Sequence, residues 1–261
     1  MISVENVSLI YSSRRGSVQA LSGVSLDATP GEFVSLVGPS GCGKSTLLKI
    51  IAGLMAPSSG AVRTNGELVK GSNASIGIVF QSPLLMPWRT VVQNVLLQID
   101  IRGLPLSEYR EQAINLINLV GLAGFENSYP HELSGGMQQR VGLCRALIHD
   151  PDILLMDEPF GALDAMTREQ MNAELQRVWM QRRKTVLFIT HSITEAIYLG
   201  DRVAVMSPRP GRMLADLKIE FERPRAIDTL IGSRNFADYS RTIRSYLNST
   251  VAAAEPAGEV V

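Results

Sequence analysis

At 261 residues, 45% of them hydrophobic and 19% charged, the chain can bury the core of one large domain or two closely joined lobes, which excludes a disordered chain. Lysine plus arginine and aspartate plus glutamate both total 25, so no net basic field exists to hold nucleic acid or an anionic membrane surface. The opening MISVENVSLIY carries Glu5 and lacks the apolar core of a secretory signal, and no apolar run reaches the roughly 18 to 20 residues that span a bilayer.

The predicted elements alternate between strands and helices. Phe33–Val37 is a short apolar run that ends in Gly38-Pro39-Ser40-Gly41-Cys42-Gly43-Lys44-Ser45-Thr46, and residues 45–54 continue as an apolar helix. Residues 76–80, 153–156, 186–190 and 203–206 are further short apolar runs, as expected of strands covered on both faces in a largely parallel sheet. Between Gln81 and Ser134 no comparable run occurs; residues 91–101 and 107–119 read as helices, the second with Ile114, Ile117 and Val120 on one face, giving a helical lobe over about 82–150. Ser192-Ile193-Thr194-Glu195 has the form of a capping box that starts a helix directly after His191. Beyond Arg212 the pattern weakens to one last helix at 236–247 and a frayed tail at 251–261. Cys42, in the glycine loop, and Cys144, in a helix, suit free thiols in a reducing compartment.

The glycine loop fits G-x-x-x-x-G-K-[ST] in the strand, loop, helix context that the pattern requires. Backbone N–H groups of residues 41–45 can turn inward to cradle a phosphate, the following helix adds its positive end, Lys44 brings a point charge, and the Ser45 hydroxyl is placed to ligate Mg²⁺. Asp157 emerges at the carboxyl end of a buried strand, where such sheets bind ligands. Ser134 and the amides of Gly135 and Gly136 open another helix and make a second anion site.

Leu133-Ser134-Gly135-Gly136-Met137-Gln138-Gln139-Arg140, coming after the glycine loop and before Asp157-Glu158, resembles the signature of ABC-type ATPases over roughly residues 1–215. The resemblance implies an α/β P-loop NTPase core with an inserted helical subdomain and an N-terminal antiparallel β subdomain, in an ATPase domain over 1–212 extended by 213–250. It implies ATP and Mg²⁺, with residues 38–46 on the phosphates, Tyr11 on adenine, and Ser45, Gln81 and Asp157 toward the metal. Glu158 would polarise the attacking water, Gln81 would reach the same water, and His191 would bond the γ-phosphate. Ser134, Gly135 and Gly136 would close over ATP held by a second copy, with Asp164 crossing that dimer interface. Met137 stands where the family usually has Gln, a change outside the phosphate-contacting serine and glycines.

Two less general segments narrow the resemblance. Ser82-Pro83-Leu84-Leu85-Met86-Pro87-Trp88-Arg89-Thr90-Val91-Val92-Gln93-Asn94-Val95 and Met206-Ser207-Pro208-Arg209-Pro210-Gly211-Arg212 are similar to the importer branch for nitrate, sulfonate and taurine. That branch implies a small anionic solute, transmembrane permease subunits, an extracytoplasmic solute-binding protein acting indirectly, no nucleic acid, and a place on the cytoplasmic face of the membrane. Leu85 and Trp88 are the expected docking anchors for a permease helix. A DNA-repair ATPase of this class would need a long coiled-coil insertion, a ribosomal one usually two cassettes, and a GTPase an Asn-Lys-x-Asp motif; no Asn-Lys pair occurs.

Overall fold

The structure, a computed structural model, describes residues 1–13 and 16–252. In chain order the elements are β1 (Ile2–Ser13), β2 (Gly16–Ala28), β3 (Phe33–Val37), α1 (Lys44–Ile51), β4 (Ser59–Thr64), β5 (Glu67–Leu68) and β6 (Ile76–Val79). There follow α2 (Val91–Val95), α3 (Leu97–Ile101), α4 (Leu106–Leu119), a 3₁₀ turn at Pro130–Glu132, α5 (Gly135–Leu147), β7 (Ile153–Asp157) and α6 (Ala165–Arg182). The chain ends with β8 (Thr185–Ile189), α7 (Ile193–Leu199), β9 (Arg202–Met206), β10 (Met213–Lys218), α8 (Ile227–Ile231) and α9 (Arg234–Ala252). The last helix is longer than the expected 236–247 and takes in residues 251 and 252; the rest of the expected tail lies outside the described residues.

Two compact units divide the chain, the first made of Met1–Asn73 with Leu187–Val261 and the second of Ala74–Val186. The second is thus wider than the helical lobe expected over 82–150, because it also takes in β6, β7 and α6.

In the first unit β2, β1, β4 and β5 form an antiparallel sheet in that order. Ile2 and Val4 are buried, and a register shift between Val4 and Val7, where Asn6 takes φ 50°, keeps Val7 and Leu9 buried too. The bulge absorbs one residue so that the apolar set stays on one face. The other strands of this unit run β10, β9, β3 and residues 187–189 of β8. β3 is parallel to β9, from Val34 opposite Arg202 to Val37 opposite Val205, and all five of its residues are buried, which is why its sequence does not alternate. β10 pairs antiparallel to β9.

In the second unit β6 runs parallel to β7, Ile76 opposite Ile153 through Val79 opposite Met156. No strand occurs between Gln81 and Ser134 among the described residues. The helix expected over 91–101 is two short helices that meet at Leu96. The first is fixed by a reciprocal cap: the Thr90 hydroxyl accepts from Gln93 N, and the Gln93 amide oxygen accepts from Thr90 N at 2.9 Å. α4 begins at Leu106, and its buried positions are Ala113, Leu116, Ile117 and, just past its end, Val120. Ile114 is only half-buried, because the i, i+3, i+4, i+7 stripe runs from Ala113. Both cysteines are free and buried. No helix among the described residues is long and apolar enough to cross a membrane.

Candidate functional site

The first unit carries the phosphate loop. β3 delivers the chain to Gly38, and α1 starts at Lys44 with no side-chain cap from Gly43, so its leading N–H groups suit an anion. Lys44 is buried, and its ammonium donates to Gly38 O at 2.8 Å and Pro39 O at 3.0 Å, which curls the loop around it. Gly43 has φ 109°, and a Cβ there would come within 2.7 Å of Leu21 Cδ2, so both conformation and space require glycine. Cys42 is fully enclosed; burial pushes its thiol up, against the opposing influence of Lys44.

The branch-specific segment 206–212 backs this loop. A Cβ on Gly211 would lie 2.3 Å from Cys42 O, and one on Gly38 would lie 3.1 Å from Met206 O. Gly211 is tied to β2 by its N–H to Ala20 O at 2.9 Å and its carbonyl from Ser22 N at 3.0 Å. Gly211 carries no assigned role in the sequence; a glycine directly after Pro210, beyond the end of an apolar strand, was the available signal.

Tyr11, on β1, is brought to the same loop: its hydroxyl is 3.1 Å from Thr46 Oγ1 and it donates to Met55 Sδ at 3.5 Å, with 42% of the residue exposed. His191 is exposed and follows β8 directly. Around it the Thr190 hydroxyl donates to Glu195 Oε2 and accepts from Ser192 N at 3.0 Å, while Ser192 Oγ caps α7 by accepting from Glu195 N at 3.3 Å. These bonds fix the backbone on both sides of the histidine.

The second unit carries the carboxylates and the signature. Asp157 is the last residue of β7, and Glu158 follows with φ 43°, a left-handed conformation that costs a non-glycine residue about 1 to 3 kcal/mol. The turn is closed by Gly161 N donating to Glu158 O at 3.1 Å. A Cβ on Gly161 would sit 3.3 Å from Gln81 Nε2 and 3.7 Å from Glu158 Oε2, so the Gln81 amide and the Glu158 carboxylate converge on one glycine.

Ser134 caps α5, its hydroxyl accepting from Met137 N at 3.3 Å, and Gly135 is exposed beside it. Gly136 is buried, and a Cβ there would come within 2.7 Å of Thr167 Cγ2 at the start of α6. Asp164 caps α6 by accepting from Thr167 N at 3.0 Å, and the hydrogen bonds with Thr167 hold its carboxyl below the usual range. The signature and Asp164 therefore meet at adjoining helix starts.

Sequence reading had left Gln139 and Arg145 without a role. Gln139 Nε2 donates to Gln81 O, and the Arg145 guanidinium donates to Leu84 O at 2.8 Å and Pro83 O at 2.6 Å. Asn94, fully buried, holds the next stretch by accepting from Met86 N at 2.8 Å and donating to the carbonyls of Met86, Arg89 and Thr90. The sequence carried no signal for Gln139 and Arg145, whose partners are backbone carbonyls far along the chain. Trp88 is 70% exposed and Leu84 55%, whereas Leu85 is half-buried, so Leu84 takes the surface place expected of Leu85.

No cluster of three or more His, Cys, Asp or Glu able to hold a metal occurs among the described residues. Within the second unit Gln81 and Asp157 offer hard oxygen donors with one carboxylate, a chemistry that fits Mg²⁺ held jointly with substrate phosphates.

A β-strand feeding a glycine-rich loop around a buried lysine at a helix start defines a P-loop nucleotide-binding protein. The model of the ABC transporter family matches residues 21–161, and the chain belongs to that family. It is 48% identical over 250 residues to an uncharacterized ABC transporter ATP-binding protein of Methanocaldococcus jannaschii, covering 96% of this chain and 92% of that one. The taurine import ATP-binding protein TauB of Rhizobium johnstonii is 47% identical over 255 residues, covering 96% of this chain and 97% of its own length. The TauB of Burkholderia pseudomallei is 48% identical over 219 residues, 84% of each chain. Among solved structures, a dimeric ATP-binding cassette in a post-hydrolysis state bound to ADP and Pi matches with a TM-score of 0.74 and 34% identity, over 85% of this chain and 100% of that one.

Proposed function

We propose that this chain is the ATP-hydrolysing subunit of an ABC importer for a small anionic solute of the sulfonate class, with taurine as the first candidate. The observation that carries the reading is near-full-length similarity to taurine import ATP-binding proteins, 47% over 96% of this chain and 97% of the relative. The reading keeps residues 1–212 as one ATPase domain with 82–150 inserted and 213–250 as its extension.

In this reading residues 38–46 bind the β- and γ-phosphates of ATP, with Lys44 neutralising charge that grows in the transition state, and Tyr11 stacks on the adenine. Glu158 accepts a proton from the attacking water, Gln81 orients that water, and His191 donates to the γ-phosphate. Mg²⁺, held by Ser45, Gln81 and Asp157, would supply electrostatic stabilisation of the phosphates. Because Ser134, Gly135 and Gly136 form a separate anion site, they serve the ATP of a second copy, and Asp164 lies at the same interface. Two copies then close around two nucleotides and reopen when hydrolysis removes the bridging charge. Trp88 and Leu84 meet a permease subunit, which places the chain peripherally on the inner membrane face, with the extracytoplasmic binding protein contacting only the permease.

Deleting the gene and measuring uptake of taurine, other sulfonates and nitrate by intact cells tests this. One uptake should disappear and return with the wild-type gene but not with Glu158→Gln, whose purified chain should bind ATP and hydrolyse it at least about 100-fold more slowly in single turnover. Unchanged uptake of all three in the deletion strain refutes the importer assignment, and normal hydrolysis by Glu158→Gln removes that residue from catalysis.

A further inference from the structure

The signature helix α5 does more than present Ser134 at its start. Its stripe Gln139, Gly142 and Arg145, three residues apart, faces the loop 81–84. Gln139 is 3% exposed and donates to Gln81 O; Arg145 is 9% exposed and spreads its guanidinium fork over the carbonyls of Pro83 and Leu84. Between them Gly142 is close-packed on Pro83, which a Cβ would meet at 3.6 Å. The loop is held in a conformation that leucine rarely adopts: Leu84 has φ 46°, and the residue is 55% exposed. Beyond it, Asn94 pins residues 86–90 and so fixes the ledge that carries Trp88.

We propose that Gln139 and Arg145 are positioning residues that lock loop 81–84 to the signature helix, so that Gln81, the Trp88 ledge and Ser134 respond to ATP as one body. The inference rests on the functional reading above, in which Gln81 serves hydrolysis and Trp88 faces the permease. A guanidinium suits the task because its planar fork holds two successive carbonyls in a fixed geometry, where an ammonium presents its donors from a flexible stem. Breaking the lock leaves the phosphate loop of the first unit untouched, so nucleotide binding should persist while orientation at Gln81 is lost.

The chain has two tryptophans, Trp88 at 70% exposure and Trp179 at 3%, so acrylamide quenching of intrinsic fluorescence reads Trp88. In a Glu158→Gln background, which holds the ATP-bound state, MgATP should change Trp88 quenching; adding Arg145→Met or Gln139→Leu should abolish that change while ATP affinity stays within about twofold. In the wild-type background the same two variants should lower kcat by about 10- to 100-fold with KM nearly unchanged, the size expected of an ångström-scale misplacement. Arg145→Lys, with a flexible ammonium in place of the planar fork, should give an intermediate kcat; should Arg145→Met fail to fold, this variant and Gln139→Leu decide. Trp88 quenching that ignores ATP in the Glu158→Gln protein overturns the proposal, as does a folded lock variant that keeps the response. A Gln81→Ala control separates the two readings: normal kcat there refutes the catalytic reading of Gln81, while the quenching measurement still judges the lock.

Discussion

Gly211→Ala is the sharpest test of how the phosphate loop is supported. The new methyl group would stand 2.3 Å from Cys42 O and 2.6 Å from Met206 Cε. The Met206 methyl can swing away, but Cys42 O is backbone of the phosphate loop itself. Gly211 cannot retreat either, since its N–H and carbonyl are bonded to Ala20 and Ser22. Restoring an ordinary contact of about 3.4 Å means moving the loop backbone by about 1 Å, which misaligns inward N–H groups that each contribute about 1.5 to 3 kcal/mol against a charged phosphate. Loss of one such bond corresponds to ATP binding weakened about 10- to 100-fold. Glycine-to-alanine changes made without strain ordinarily stabilise by about 0.4 to 1 kcal/mol, so the sign here comes from the contact alone. Titration with a fluorescent ATP analogue and a thermal melt on the same preparation read both quantities. Gly71→Ala, where no atom lies within 4 Å of the added Cβ, is the control and should bind normally. Wild-type affinity in Gly211→Ala with an unchanged melt refutes the reasoning.

Ser134→Arg should leave ATP binding intact and abolish ATP-driven dimerisation of a Glu158→Gln protein on size exclusion, since the side chain would fill the start of α5, where the proposed function puts the second copy's phosphate; a dimer of normal yield would show that the signature does not face a second nucleotide. Replacing Leu84 and Trp88 with Ala together should leave the melting temperature within about a degree or two while membrane association is lost, because exposed anchors can each carry about 2 kcal/mol of binding and little stability; a large fall in melting temperature would make them core residues. Burial lowers the His149 pKa below its ordinary 6.5, with Arg102 and Lys184 acting in the same direction and Asp150 against. A depressed folded pKa means that this stability is present above about pH 6.5 and lost as pH falls toward the folded value, so the melting temperature of wild type should drop more steeply from pH 7 to pH 5 than that of His149→Gln; parallel slopes would exclude the histidine.

The phosphate loop was legible because motif and context coincide: β3 is an unbroken apolar run and α1 follows at once. α4 was legible from its stripe: Ile117 and Val120 are buried as expected, and only Ile114 departs, because the stripe starts at Ala113, a weaker apolar signal. α6 escaped the reading since two of its six buried residues, Asn172 and Gln176, are polar. The alternation of β1 is interrupted at the bulge near Asn6, so the N-terminal sheet was expected from family resemblance rather than from periodicity. The jobs of Gln139 and Arg145 could not be read at all, because their partners are backbone carbonyls 58 to 62 positions away, and every residue type carries a carbonyl.

The same blindness explains the weak pattern beyond Arg212. Arg225 is buried, and its guanidinium donates to the carbonyls of Ile197 at 2.8 Å and Tyr198 at 3.0 Å in the last turn of α7 and of Gly200, its cap residue, at 2.8 Å. Arg223 adds bonds to Leu199 O and to Asp201 Oδ1, and the other oxygen of Asp201 accepts from Phe33 N at 2.9 Å, where β3 begins. Burial lowers the Arg225 pKa to about 10, which still leaves it charged at neutral pH against the negative end of the helix. A short helix gains most from such a cap, because four of its carbonyls have no partner within it. The residues after 212 thus close the far end of the helix that opens behind His191, and they do so through two arginines whose targets leave no trace in hydrophobic periodicity.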